Sequence, residues 1–385
     1  MAKRSVPLLV VLALVLGLAA CGSSSSSATT AAAAAGASSS SSSSASSSSG
    51  GNAAAASAAI APYVGHPSAF PVTDPLTKVK KGATVAFMDC GTSICALFWQ
   101  LLQPAAKVMG VHLTRYNAGS AANTVSQAWD SVVASKPAAV IATAINIDLW
   151  KNQLKELQAA KIPVVTTGIL GTAQYGIKAA QAAETASELE GKLMADYTAA
   201  KFSSAKSIAL YDVPELSFTP LVANAYKAEL SKVCSACSVR VVPIPIAAMG
   251  STAPNQIVSD LQSHSGTGLA VFSIDELESG LPAALQSAGI TIKTLGNSPG
   301  PTELQYVKEG KETAVLAVDL PVLAWTLLDQ AARQMVGQPL TGDEAKGLTD
   351  VQFLTQPDMK FDPSKGWTGY PDFGQRFGKL WSAGG

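Results

Sequence analysis

Between residues 83 and 336 the chain repeats one alternation: a short apolar run, then a segment with apolar side chains every three or four positions. Short apolar runs read as strands buried on both faces, and the wider spacing reads as a helix with one apolar stripe. A first series predicts strands at 84–87, 111–116, 138–143 and 162–166. Between them, Leu97, Leu101, Ala105 and Val108 fall on one helical face, as do Val125, Trp129 and Val132, and then Trp150, Leu154 and Leu157. A helix at 184–199, with Leu189, Leu193 and Tyr197 aligned, opens a second series. Its strands are expected at 207–211, 239–244, 269–274, 290–295 and 314–318, its helices near 220–232, 255–264, 278–288 and 302–309, and a long helix at 321–336 closes it. Such alternation builds parallel sheets covered on both faces, with right-handed crossovers and ligand sites at the carboxyl ends of the strands. Two series predict an α/β protein of two Rossmann-like lobes.

The chain upstream of this body has a different character. Lys3 and Arg4 precede Val6–Ala20, which carries no charge. A bilayer span needs about 20 apolar residues, and this run of 15 contains Pro7 and ends in Leu18-Ala-Ala-Cys21, so 1–20 reads as a cleaved signal peptide. Residues 22–59 hold 17 Ser, 14 Ala, 4 Gly, 2 Thr and 1 Asn, with neither charge nor aromatic ring. That composition cannot bury enough apolar area to offset chain entropy, and interleaved Ser and Gly oppose helix, so 21–60 is expected to be a disordered tether.

Without Lys3 and Arg4 the chain has 25 basic and 27 acidic residues and no basic run, which argues against a nucleic-acid partner. His66, His112 and His264 stand far apart with no ligand spacing, and no metal site is expected. In an exported protein, Cys90, Cys95, Cys234 and Cys237 form an even set suited to two disulfides. Local pairing, 90 with 95 and 234 with 237, is preferred because each pair is close in sequence, with cross-pairing open. Cys-Ser-Ala-Cys follows the apparent helix at 220–232 rather than opening one, so a structural bridge suits it better than a redox role.

Leu-Ala-Ala-Cys resembles the bacterial lipobox, which implies diacylglycerol on Cys21 and a chain anchored by it to the cell membrane. The body resembles the type I periplasmic binding proteins, the ribose- and galactose-type solute receptors of ABC importers. The resemblance covers roughly 83–340 and rests on Ala139-Val-Ile-Ala-Thr143 before Asp148, on Ala160-Lys-Ile-Pro-Val-Val165, and on Asp275-x-x-Glu278-x-Gly280 followed by Ala283-Ala-Leu-Gln-Ser-Ala-Gly289. It implies two lobes joined by a three-segment hinge that closes over solute. The N-terminal lobe would comprise 83–183 plus 319–347, and the C-terminal lobe 184–318 plus 348–385, with crossings near 184, 319 and 348. The tail from Phe361, with Trp367, Tyr370, Phe373, Phe377 and Trp381, is expected to pack its rings onto a lobe.

A solute clamp needs polar groups from both lobes and apolar faces to desolvate the ligand. Loops after the strands offer Asp89, Thr92, Ser93, Phe98, Trp99, Thr143 and Asn146 in the first lobe, with capping the alternative role at Asn146. In the second they offer Tyr211 and Phe218 as walls. By the resemblance, Asp275 is the cleft aspartate that accepts sugar hydroxyls, and Asn297, Ser298 and Asp319 follow from matching loop and hinge positions. Several sugar-grasping groups of the family are replaced: the cleft arginine by Val222, an Asn by Ile274, an Asp by Gly168, and Phe-Asp by Asn297-Ser298. Unpaired hydroxyls in a cleft cost about 1 to 3 kcal/mol each, so a solute less polar than ribose is expected.

Gly296-Asn-Ser298-Pro-Gly300 fits Gly-x-Ser-x-Gly. A serine hydrolase of that kind needs the N–H after the serine, which Pro299 lacks, and a histidine downstream, whereas the last is His264. No P-loop or Gly-x-Gly-x-x-Gly appears. The expectation is a monomeric, cofactor-free, lipid-anchored solute-binding protein that is not an enzyme and serves ABC-transporter permease subunits. A sensor for a membrane signalling partner is the alternative and a secreted hydrolase the remote one.

Overall fold

The structure is a computed structural model that describes residues 47–67, 69–119 and 122–382. The signal peptide, Cys21 and residues 22–46 of the expected tether lie outside the described residues.

The first lobe carries five parallel strands: β1 (Thr84–Asp89), β2 (His112–Asn117), β3 (Ala139–Thr143), β4 (Val164–Thr167) and β5 (Ala179–Gln181), in the order β2-β1-β3-β4-β5. The second carries β6 (Ser207–Asp212), β7 (Ser238–Pro243), β8 (Leu269–Phe272), β9 (Lys293–Asn297), β10 (Ala314–Val318) and β11 (Val351–Leu354), in the order β11-β10-β9-β8-β6-β7. All pairings are parallel except β10 with β11. Central strands are buried on both faces, as at Ala139–Thr143 and Ala314–Val318, so their sequences are unbroken apolar runs.

Helices join them: α1 (Ser47–Ile60), α2 (Ser93–Met109), α3 (Ala122–Ser135), α4 (Lys151–Ala159), α5 (Glu184–Lys201), α6 (Thr219–Val233), α7 (Ala253–Ser263), α8 (Leu281–Ser287), α9 (Pro301–Lys308), α10 (Leu320–Val336), α11 (Gly342–Lys346) and α12 (Phe373–Ser382). The helix expected at 278–288 is broken, because Gly280 takes φ +84° between a 3-10 turn at Asp275–Glu278 and α8. β5 and β11 are short edge strands of three and four residues that the apolar pattern does not announce.

The chain passes between the sheets after β5, after β10 at Asp319, and between α11 and β11. Two terminal segments depart from expectation. Residues 47–60 of the expected tether form α1, which lies against α5 and α6 with Ala56 and Ile60 buried and Asn52 Nδ2 donating to Lys232 O at 3.2 Å. Alanine is the strongest helix former and its small side chain permits close packing, which outweighs the Ser and Gly. The tail, assigned to the C-terminal lobe, divides: Pro363–Lys365 lies against α9 of the second lobe, while α12 packs on α2 of the first. Phe377 and Trp381 are buried there, and Trp381 stacks on Trp325 of α10 with centroids 5.3 Å apart.

Candidate functional site

Both sheets reverse their strand order, between β1 and β3 and between β6 and β8, and open α/β sheets collect ligands at such switch points. A cavity lies there, with about 70 Å³ open to the centre of a water molecule. Cys90 and Thr92 reach it from the loop after β1, Cys95 from the first turn of α2, Thr143 and Ala144 from the end of β3 and the residue after it, Leu216 and Phe218 from the loop after β6, and Ile274 from the loop after β8. Val318, Leu320 and Leu323 close it at the passage into α10. The lobes touch on either side. Glu276 Oε1 accepts the Ser93 N–H at 2.9 Å and also the Ser93 hydroxyl, and Ser217 Oγ accepts from Leu170 N at 3.4 Å and donates to Gly168 O at 3.3 Å.

Of the residues expected at the site, Thr92, Phe98, Thr143, Phe218 and Ser298 line the cavity. Thr143 Oγ1 donates to Met88 O at 2.7 Å, and Ser298 stands at φ +58°, a conformation that favours glycine. The others serve elsewhere. Ser93 bridges the lobes through Glu276. Asp89 is buried and takes the Arg115 Nε–H at 2.8 Å and the Gly91 N–H at 2.7 Å, which satisfies its charge locally. Trp99 faces Phe87 and the Arg115 guanidinium, away from the cavity. Asn146 is exposed and caps a 3-10 turn through Asp148 N. Tyr211 lies in the core between its sheet and α7, donating to Asp260 Oδ2 at 2.8 Å. Asp319 is the N-cap of α10, accepting from Val322 N at 3.0 Å, and it holds the tail through Thr368 and Gly369. Burial pushes its carboxyl up to about 7 against those three donors.

Asp275, expected as the cleft aspartate, is wholly buried and absent from the cavity lining. Ile274 is the last extended residue and takes the cavity side, while Asp275 opens the 3-10 turn. Asp275 turns instead toward Glu278 and Glu312, with carboxylate oxygens of the three within 4.8 Å of one another. Among the described residues this is the group spaced to hold a hard cation. Burial, and then the charge of its neighbours, raises each carboxyl well above its ordinary range. Asn297 is buried and donates to Glu190 Oε2 at 3.0 Å and Ser273 O at 3.2 Å.

A profile described as a periplasmic binding protein domain matches residues 86–339. The chain belongs to the periplasmic binding protein family. Members of this family bind solutes outside the cytoplasm. No curated protein sequence matches the chain, but solved solute-binding proteins of ABC transporters share the fold. One from Actinobacillus succinogenes with bound D-allose is 16% identical, with a TM-score of 0.61 over 73% of this chain and 99% of that one. One from Bacillus halodurans with myo-inositol is 15% identical, TM-score 0.62, over 76% and 100%. A 5-methylthioribose transporter protein from Thermotoga lettingae, in complex with that sugar, is 13% identical, TM-score 0.63, over 77% and 98%.

In this periplasmic binding protein the cleft is lined mainly by apolar and hydroxyl-bearing side chains. Sequence reasoning passed over Cys90 and Cys95 as cleft residues, though their disulfide forms part of the wall, and over Ile94, Thr167 and Glu190; Gly168, noted as replacing a cleft Asp, does line it. The disulfides pair 90 with 95 and 234 with 237. Glu190 sits in mid-helix, where no loop signal marks it. Among the described residues the lining has no histidine, and no helix is long and apolar enough to cross a membrane.

Proposed function

We propose that this protein is a lipid-anchored solute-binding protein that captures one small, mainly apolar molecule between its lobes and delivers it to an ABC importer. The observation that carries the reading is the cavity at the paired switch points, with walls from both lobes and direct hydrogen bonds between the lobes beside it. Phe98, Phe218, Ile274, Leu216 and Leu323 desolvate the guest, while the Thr92, Thr143 and Ser298 hydroxyls orient it. The missing arginine and carboxylates noted at 222, 168 and 298 remove the bidentate grip that a polyol needs. The Thermotoga lettingae relative, bound to a sugar with a methylthio group, supports a partly apolar guest on this fold. Anchoring rests on Leu18-Ala-Ala-Cys21, and mass spectrometry of the membrane-bound protein tests it by the diacylglycerol mass on Cys21.

A thermal-shift screen of D-allose, myo-inositol, 5-methylthioribose, cyclic amines and aromatic acids tests the capture role. A ligand that binds the native state stabilises it by about 2.7 kcal/mol at a hundred times its Kd. At least one compact, partly apolar compound is expected to raise the melting temperature and reduce the radius of gyration in solution scattering. If every class leaves both unchanged, the reading is wrong.

A further inference from the structure

The cleft is apolar or hydroxylic everywhere but at one place. Glu190, on α5, is the one titratable side chain among its lining residues, and it is 6% exposed. Asn297 spends both amide hydrogens on Glu190 Oε2 and Ser273 O, so one oxygen of this cavity-lining carboxylate is fixed, and the other, Oε1, has no hydrogen-bond partner among the described residues. The next residue pins the helix: a Cβ at Gly191 would stand 2.3 Å from Val222 O and 2.8 Å from Ala225 Cβ, so α5 meets α6 at backbone contact. Glu190 is therefore held where it is by a rigid element.

Among the described residues no cation pairs with it. On α5, Glu188 and Lys192 pair with each other at 3.3 Å on the exposed face. On α6, Glu229 pairs with Lys232 at 2.7 Å, and the Tyr226 hydroxyl bonds that of Thr198. Around the loop after β8, Glu276 is bonded to Ser93 and Asp275 turns into the acidic cluster. Burial pushes the Glu190 carboxyl up to about 7, with the Asn297 amide the only opposing influence. A buried carboxylate without a counter-charge is costly, and a guest that brings one removes that cost. A charge-assisted bond of this kind is about twice as strong as a neutral one.

We infer that the solute is a compact, mainly apolar molecule bearing a protonated amine, which Glu190 receives through Oε1 while Asn297 positions the carboxylate. This rests on the cleft being the solute site. It makes Glu190 the specificity determinant and gives Asn297, expected to touch ligand, a positioning role one step removed.

Isothermal titration at pH 7 with two matched pairs, cyclohexylamine against cyclohexanol and D-glucosamine against D-glucose, tests it. The amine of the tighter-binding pair is expected to bind at least about tenfold better than its neutral mate, and Glu190→Gln is expected to abolish that preference. The unaltered protein supplies a second readout. Between pH 7 and pH 5 the free carboxyl takes up its proton while cyclohexylamine stays cationic, so amine affinity falls by about tenfold or more. Equal affinity for amine and neutral mate, a preference that survives Glu190→Gln, or amine binding indifferent to pH overturns the inference. Neutral compounds that bind both forms alike overturn it while leaving solute capture intact. Failure of every compound, here and in the wider screen, overturns both.

Discussion

Gly296 leaves no room for a side chain: a Cβ there would lie 1.7 Å from Asp275 Oδ1. The aspartate is thus pressed against β9 and faces Glu278 and Glu312, while Ile274 occupies the cleft wall. Asp275→Asn preserves shape and removes one acid from a crowded buried cluster. Its expected effect is a change of no more than about threefold in affinity for whatever solute the screen identifies, measured by titration calorimetry; a tenfold loss would return Asp275 to the ligand. The motif Asp275-x-x-Glu278-x-Gly280 located the segment but not the direction of its side chains, because the 3-10 turn that begins at Asp275 sends the carboxylate to the core and leaves the extended Ile274 at the cleft. Thr92, Thr143 and Ser298 were legible as residues following or closing strands, whereas Glu190 was not, since a mid-helix glutamate looks like a solvated one until distant segments such as β9 pack against its helix.

At the level of elements, the central strands and the helices between them were readable from period alone, and the terminal helices were not. α1 is built from Ala and Ser and lacks an apolar stripe, so nothing in its sequence separates it from a linker; α5 and α6 supply the surface that orders it. α12 shows the reverse. Its rings announce burial, but the choice of lobe depends on Trp325 and Asp329 of α10, far away in sequence. Trp381 Nε1 donates to Asp329 Oδ1 at 2.7 Å, beside the buried Arg333 with which Asp329 pairs. Trp381→Ala removes a buried ring and leaves a carboxylate oxygen without its donor, so a loss of about 3 to 5 kcal/mol is expected in urea unfolding. A loss under about 1 kcal/mol would mean that α12 is not docked on the first lobe.

Across the molecule, the two-lobe plan followed from the two strand series, but the contacts that close the cleft join residues such as Ser93 and Glu276, about which neither local sequence says anything. The same meeting of distant segments buries an unusual stock of acids, and this sets how stability responds to pH. Burial raises Glu190 and Asp319 to about 7, Asp196 to about 6 and Glu344 to about 9, and it lifts Glu303 as well as Asp275, Glu278 and Glu312. Each such group holds its proton more firmly folded than unfolded. Its contribution is therefore complete below the unfolded value near 4 and is lost as pH rises through the folded value. Asp260, Asp362, Asp372 and Glu309 shift the other way, lowered by hydrogen bonds with Arg240, Ser364, Arg376 and Gln305, and favour the folded state as pH rises above their unfolded values. Asp362, Asp372 and Glu309 lie in solvent, where salt screens their pairs, so the buried acids dominate. Melting temperature is expected to be higher at pH 5 than at pH 8, with the fall concentrated between pH 5 and 7 and amounting to about 2 kcal/mol or more. Glu278→Gln combined with Glu312→Gln removes two of the titrating groups and should flatten the profile. A melting temperature that climbs from pH 5 to pH 8 in calorimetry would show that these carboxyls are charged in the folded protein and that something other than protons neutralises them.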